Sequence, residues 1–225
     1  MTNNLKAILE KNKSLLHPMF EPDLTPANTC MLDLSAANPE ITNLDFRNVQ
    51  ELNNYVFGKI ASKVYGYGGY MEDREVYRRS PVFDVAPGES RSIHLGIDVW
   101  TQARKPVMAP LDATIHSFQD NSSYGDYGPT IILQHQLEET TFYTLYGHLT
   151  ADSLDGLFEG KKIEKGMEFC RVGNFPDNGD WPPHLHFQVI ADMKGRKGDY
   201  FGVSSKAEQE IYREICPDPV VFFCL

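Results

Sequence analysis

Three short stretches hold side chains that could do chemistry together. HLGID sets His94 and Asp98 four residues apart, YGHL carries His148, and PHLHF sets His184 and His186 two apart. Imidazole and carboxylate are good ligands for a divalent cation, zinc above all. Two histidines and one carboxylate leave a tetrahedral ion one open position. Water held there has its pKa lowered from ~15.7 to about 7, which supplies a nucleophile at neutral pH. With a single carboxylate in the set, the ion keeps positive charge to polarise a substrate carbonyl.

These motifs need strands to position them. Side chains alternate faces along a strand with period two. His94 and Asp98 are then expected on one face of IHLGIDVW (93–100), with Gly96 between them leaving open space for an ion. In HLHFQVIAD (184–192), His184 and His186 share a face, and Leu185 and Phe187 turn the other way into the core. In TTFYTLYGHL (140–149), His148 is expected on the face of Tyr146 and Thr144. A lone HxH or HxxxD arises easily by chance. The three motifs in this order, all on expected strands, make a specific signal.

The rest of the chain supports such a frame. ATIHSFQ (113–119), PTIILQHQL (129–137) and KKIEKGMEFCRVG (161–173) also read as strands between Gly-, Asp-, Asn- and Pro-rich turns. The fold expected is mainly β, an antiparallel sandwich or open barrel with an N-terminal helical and loop segment. The chain divides near residue 85, giving a segment 1–85 packed on a domain 86–225. Leu5, Ile8, Leu9, Leu15 and Leu16 fit one helical face; Phe46, Val49, Leu52, Val56 and Ile60 fit another. Pro18 to Asn43 reads as loop, and residues 65–77 as an irregular turn followed by a short strand. A late helix over 206–215 is expected, with Ser205 and Glu208 as a capping box and Pro217 ending it.

Bulk properties narrow the function classes. The 225 residues are 41% hydrophobic with a formal net charge of −10. An acidic surface repels phosphate backbones, which argues against nucleic-acid partners. No run of about 18 apolar residues exists, so no membrane span is expected. The N-terminus lacks the apolar run of a signal peptide, and cytoplasmic residence is expected. The cysteines, Cys30, Cys170, Cys216 and Cys224, show no CxxC pairing, and their spacing fits thiols or bridges equally. His116 and His135 lack ligand partners two or four residues away, so a surface or hydrogen-bonded role is expected for each; His17 looks incidental. HExxH, GxSxG, P-loop and GxGxxG signatures are absent.

At its motifs the chain resembles the lysostaphin/LytM-type zinc endopeptidases, which cleave peptide cross-links of bacterial cell walls. HxxxD falls on His94 and Asp98, the final HxH on His184 and His186, and the intermediate histidine on His148. KPVMAPLDATI and GKKIEKGMEFCRVG are similar to the family's connecting stretches, so the resemblance covers roughly residues 90–192. It implies that His94, Asp98 and His186 bind one Zn²⁺ per chain. It implies that His148 and His184 assist, as general base or as donors to the oxyanion. A peptide or peptidoglycan-derived substrate follows. HLGIDVW, PLDATIHSF, FYTLYGHL, NGDWPPHLHFQVIAD and CPDP are also similar to a peptidase-like domain of large fusion proteins, lying between phosphotransferase-like and class III aminotransferase-like domains. Two alternatives stand beside the peptidase: a non-hydrolytic binding module that keeps its zinc site, and a metallohydrolase of a small intracellular amino-acid derivative.

Overall fold

Period-two runs after residue 90 become the strands of one large sheet. The computed structural model describes residues 2–86 and 89–225. In chain order its elements are α1 (Thr2–Lys11), β1 (Thr29–Met31), α2 (Val49–Ile60), β2 (Tyr65–Gly68), β3 (Asp84–Ala86), β4 (Glu89–Ser90), β5 (Ile93–His94) and β6 (Ile97–Trp100). They continue with β7 (Pro106–Met108), β8 (Ala113–Asn121), β9 (Gly128–Leu137), β10 (Thr140–Gly147), β11 (Lys162–Ile163), β12 (Glu168–Arg171), β13 (His184–Ile190), β14 (Val203–Ser204) and α3 (Gln209–Ile215).

Eight strands form one sheet in the order β1-β2-β6-β13-β10-β9-β8-β11. Every pair is antiparallel except β1 with β2. The mainly β, antiparallel expectation is met, and the sheet stays open: among the described residues its two end strands do not pair with each other. The strand pairs β7-β12, β5-β14 and β3-β4 lie outside it.

Alternation sorts the sheet's side chains. Ile97, Val99, Leu185, Phe187, Val189, Tyr146 and Ile131 enter the main apolar core. Leu5, Ile8 and Leu9 of α1 cover that core together with Met19, Phe20, Val221 and Phe222. Burying each such side chain contributes roughly 1.5–3 kcal/mol. The other face of β6 and β13 carries Asp98, Trp100, His184, His186 and Gln188. A second apolar cluster lies beyond it, in which Leu52, Val56 and Ile60 of α2 meet Leu32, Leu34, Trp100 and Trp181.

The structure corrects several expectations. The run 93–100 is not one strand: β5 pairs with β14, whereas β6 enters the main sheet. The loop expected from Pro18 to Asn43 contains β1, which pairs with β2. Residues 65–77 hold a strand first and a short 3-10 turn afterwards, the reverse of the expected order. The late helix starts at Gln209, and Ser205 Oγ donates to Glu208 Oε2 at 2.7 Å rather than capping a backbone N–H. The four cysteines are free thiols. No helix among the described residues is long and apolar enough to cross a membrane.

Candidate functional site

Strand register builds the site. His186 pairs with Asp98 across β13 and β6, and with Gly147 across β13 and β10. His184 sits one step along the same face, opposite Trp100. His94 reaches the cluster from β5, after the chain bends at Leu95 and Gly96. Five motif residues, His94, Asp98, His148, His184 and His186, thereby come together, and all are buried.

Two local details differ from simple alternation. Gly96 was expected to leave room for an ion. A Cβ there would instead lie 2.6 Å from the Phe187 carbonyl oxygen and 2.8 Å from the His186 ring, so the glycine admits that imidazole. His148 does not share a strand face with Tyr146 and Thr144. β10 ends at Gly147, and His148 takes a left-handed φ of 61° that turns its ring away from the core holding Tyr146. A non-glycine residue in that conformation costs of order 1–3 kcal/mol, tolerated where surrounding contacts hold it. Here His148 N–H donates to the Tyr127 carbonyl at 2.8 Å, and the His148 carbonyl accepts from Gly173 N–H at 2.8 Å.

Three acceptor atoms converge. His94 Nε2 lies 2.8 Å from His186 Nδ1, and Asp98 Oδ1 lies 3.3 Å from the former and 3.2 Å from the latter. The outer partners show which ring nitrogens carry hydrogens. His94 Nδ1–H donates to the Gly69 carbonyl at 2.9 Å. Gln188 donates through Nε2 to the Phe201 carbonyl and to Cys216 Sγ, which turns its Oε1 toward His186 Nε2 at 3.0 Å. His186 must therefore donate from Nε2. Both facing nitrogens are left with lone pairs against a carboxylate oxygen, an arrangement that calls for a cation. Donors about 2.0–2.1 Å from a tetrahedral zinc stand about 3.3–3.4 Å apart; the two Asp98 separations are close to this, and the two imidazole nitrogens stand nearer, at 2.8 Å. His94, Asp98 and His186 are thus a group that could hold a metal ion.

His148 and His184 flank this trio. Each donates Nδ1–H to a backbone carbonyl, His148 to Asn178 at 2.8 Å and His184 to Pro182 at 2.7 Å, which leaves both Nε2 atoms as free bases. His184 Nε2 is 3.8 Å from Asp98 Oδ1. Trp181 packs edge-on against both rings. Burial, with the Arg74 guanidinium nearby, pushes His94 down to about 3. Burial and the neighbouring His184 hold His148 well below the usual imidazole range, and burial lowers His184 as well. Burial disfavours the Asp98 carboxylate, yet His94 and Arg74 together hold its pKa well below the ordinary range. Burial thus favours the neutral form of His94, His148 and His184 beside the Asp98 carboxylate, and metal binding requires unprotonated ligands.

The remaining histidines stand apart. His135 is buried, bonded to Thr144 Oγ1 at 2.7 Å and stacked on Phe142; His116 is half-buried beside Ser117 Oγ. Sequence reasoning missed the outer partners Gly69, Arg74, Tyr127, Asn178 and Gln188, which lie outside any spaced motif. A cavity of about 130 Å³ opens beside the cluster, walled by Tyr77, Tyr127, His148, Trp181 and Phe201, with Arg91 at its edge.

Comparisons with known proteins found partial similarities to several solved structures. The catalytic domain of the antimicrobial peptidase lysostaphin from Staphylococcus simulans superposes at a TM-score of 0.40 with 19% identity, covering 74% of this chain and 98% of that one. A mutant catalytic domain of the prophage-encoded M23 protein EnpA from Enterococcus faecalis gives a TM-score of 0.37 with 19% identity, covering 53% and 87%. A Pseudomonas aeruginosa protein assigned to peptidase M23 gives 0.37 with 18% identity; 62% of this chain aligns, and it spans 44% of the Pseudomonas chain. No curated protein matches the chain. The superpositions are partial; a family model described as Peptidase family M23 matches residues 92–199. That match spans just under half of the chain and takes in His94, Asp98, His148, His184 and His186, so over this segment the chain is similar to Peptidase family M23.

Proposed function

We propose that this chain is a zinc-dependent metallopeptidase that hydrolyses a peptide amide bond, with one Zn²⁺ held by His94, Asp98 and His186. The observation that carries the reading is the meeting of His94 Nε2, His186 Nδ1 and Asp98 Oδ1, with separations of 2.8–3.3 Å. A bound zinc would supply Lewis acidity and a water of lowered pKa.

The chain's own residues do the rest. His148 and His184 present free Nε2 atoms beside the trio, so either can accept a proton there and pass it on to a leaving amine. Their Nδ1–H bonds to the Asn178 and Pro182 carbonyls fix the tautomer and the ring plane. Once protonated at Nε2, the same rings donate to the developing oxyanion. Trp181, itself buried, shields both rings from bulk water. The family-model match and the resemblance of the motifs support a peptide substrate, and a peptidoglycan-derived peptide is the first one to test.

The test is metal analysis of native protein, followed by mass spectrometry of its products on purified cell-wall sacculi and a peptide library. About one zinc per chain and new peptide termini are expected. Protein without zinc overturns the reading. Full zinc occupancy with no cleavage favours the non-hydrolytic binding module instead.

A further inference from the structure

The stretch from Gly69 to Tyr77 lies outside residues 92–199, yet it packs directly on Asp98. We infer that Arg74 is a positioning residue of the metal centre: it reserves one oxygen of Asp98, so that the aspartate offers a single donor atom to an ion. The inference rests on the zinc reading proposed above.

Arg74 is only 3% exposed. Its Nη1 donates to Asp98 Oδ2 and, at 3.2 Å, to Tyr77 Oη; its Nε donates to Glu72 Oε2. Glu72 is itself held, because its other oxygen accepts from Leu34 N–H at 3.1 Å. The guanidinium lies 5.7 Å from the Trp100 ring centroid and 6.0 Å from that of Tyr77. Gly69 closes the remaining side. With φ at +99° it has a conformation that favours glycine, and a Cβ there would lie 1.8 Å from Arg74 Nη2. The same glycine's carbonyl accepts His94 Nδ1–H, so one residue seats two supports of the site.

The consequence concerns the two oxygens of Asp98. Oδ2 faces Arg74, whereas Oδ1 faces His94, His186 and His184. A carboxylate free of such a partner can bind a cation through both oxygens. With Oδ2 engaged, the protein contributes three donor atoms and a fourth position stays open, the condition for a catalytic rather than a closed site. A planar guanidinium fork can hold Glu72 and Asp98 together; an ammonium offers no such fixed geometry.

The test compares wild type, Arg74→Met and Arg74→Lys after cobalt(II) replaces zinc, with visible absorption reporting coordination number. Wild type should show the intense bands of a four-coordinate ion. Both variants should keep the metal but lose most of that intensity as Asp98 Oδ2 joins it, with peptide cleavage falling about 10–100-fold. Unchanged cobalt spectra in the variants overturn the inference. So does loss of the metal by a folded variant, which marks Arg74 as part of the binding affinity alone. If Arg74→Met does not fold, Arg74→Lys decides by the same spectrum. Wild-type protein that binds neither zinc nor cobalt refutes the zinc reading itself, an outcome distinct from all of these.

Discussion

His148 and His184 face each other with ring centroids 4.2 Å apart, although they lie 36 positions apart in the chain and one lies on a left-handed turn. Neither ring belongs to the donor trio, so the two should govern turnover without governing metal content. His148→Ala and His184→Ala are each expected to lower kcat by about 10²–10⁴-fold. Zinc stoichiometry should stay at the wild-type level, read by elemental analysis beside the kinetics. A variant that loses zinc in step with activity contradicts the division of labour.

Gly96→Ala places a methyl group against the Phe187 carbonyl and the His186 imidazole. The overlap should destabilise the fold by about 1–3 kcal/mol and turn the His186 ring. Zinc affinity is then expected to weaken, measured by competition with a chromophoric chelator. Gly156→Ala, at an open position with nothing within 4 Å but φ at +66°, controls for backbone strain without crowding and should leave metal binding intact.

Metal removal should cost stability as well as activity. A ligand that binds only the folded state stabilises it by about 2.7 kcal/mol at 100 times its dissociation constant. Treatment with a chelator is therefore expected to lower Tm in wild type. In His186→Ala, which removes a donor, Tm should respond little to zinc or chelator. Equal responses in both proteins would place the stabilising ion elsewhere.

Acid stability should report on His135. Burial pushes this imidazole from 6.5 down to about 4 in the folded state. Between those values the unfolded chain binds the proton and the folded one does not, so stability is full above pH 6.5 and drains as pH falls toward 4. The total is roughly 3 kcal/mol. Urea unfolding of wild type and His135→Gln at pH 7 and pH 5 checks this: the variant should lose less stability on acidification.

The His184 and His186 pair was legible because period-two spacing survives burial. His184 and His186 share a face, and β13 offers Asp98 a direct cross-strand partner at His186. What spacing did not show was the break at Leu95 and Gly96, since a strand and two short strands at an angle have the same residue pattern. The turn at His148 was hidden for a related reason: left-handed backbone in a non-glycine residue has no compositional signal. Arg74 was invisible because its partner lies 24 positions away and EDRE reads as an ordinary charged surface. β1 was missed because three residues of parallel pairing carry too little pattern to stand out in a Pro- and Asn-rich stretch.

β2 sits between β1 and the Asp98 strand, with Gly68 in register against Asp98 itself. The portable unit of this protein is therefore longer than its recognisable motifs. Grafting residues 92–199 alone into another scaffold would carry the donor atoms across but leave β6 with a bare backbone edge and Asp98 without its arginine. Borders for chimeras and for recombination between relatives belong upstream of β1, where the inherited segment takes its whole flank along.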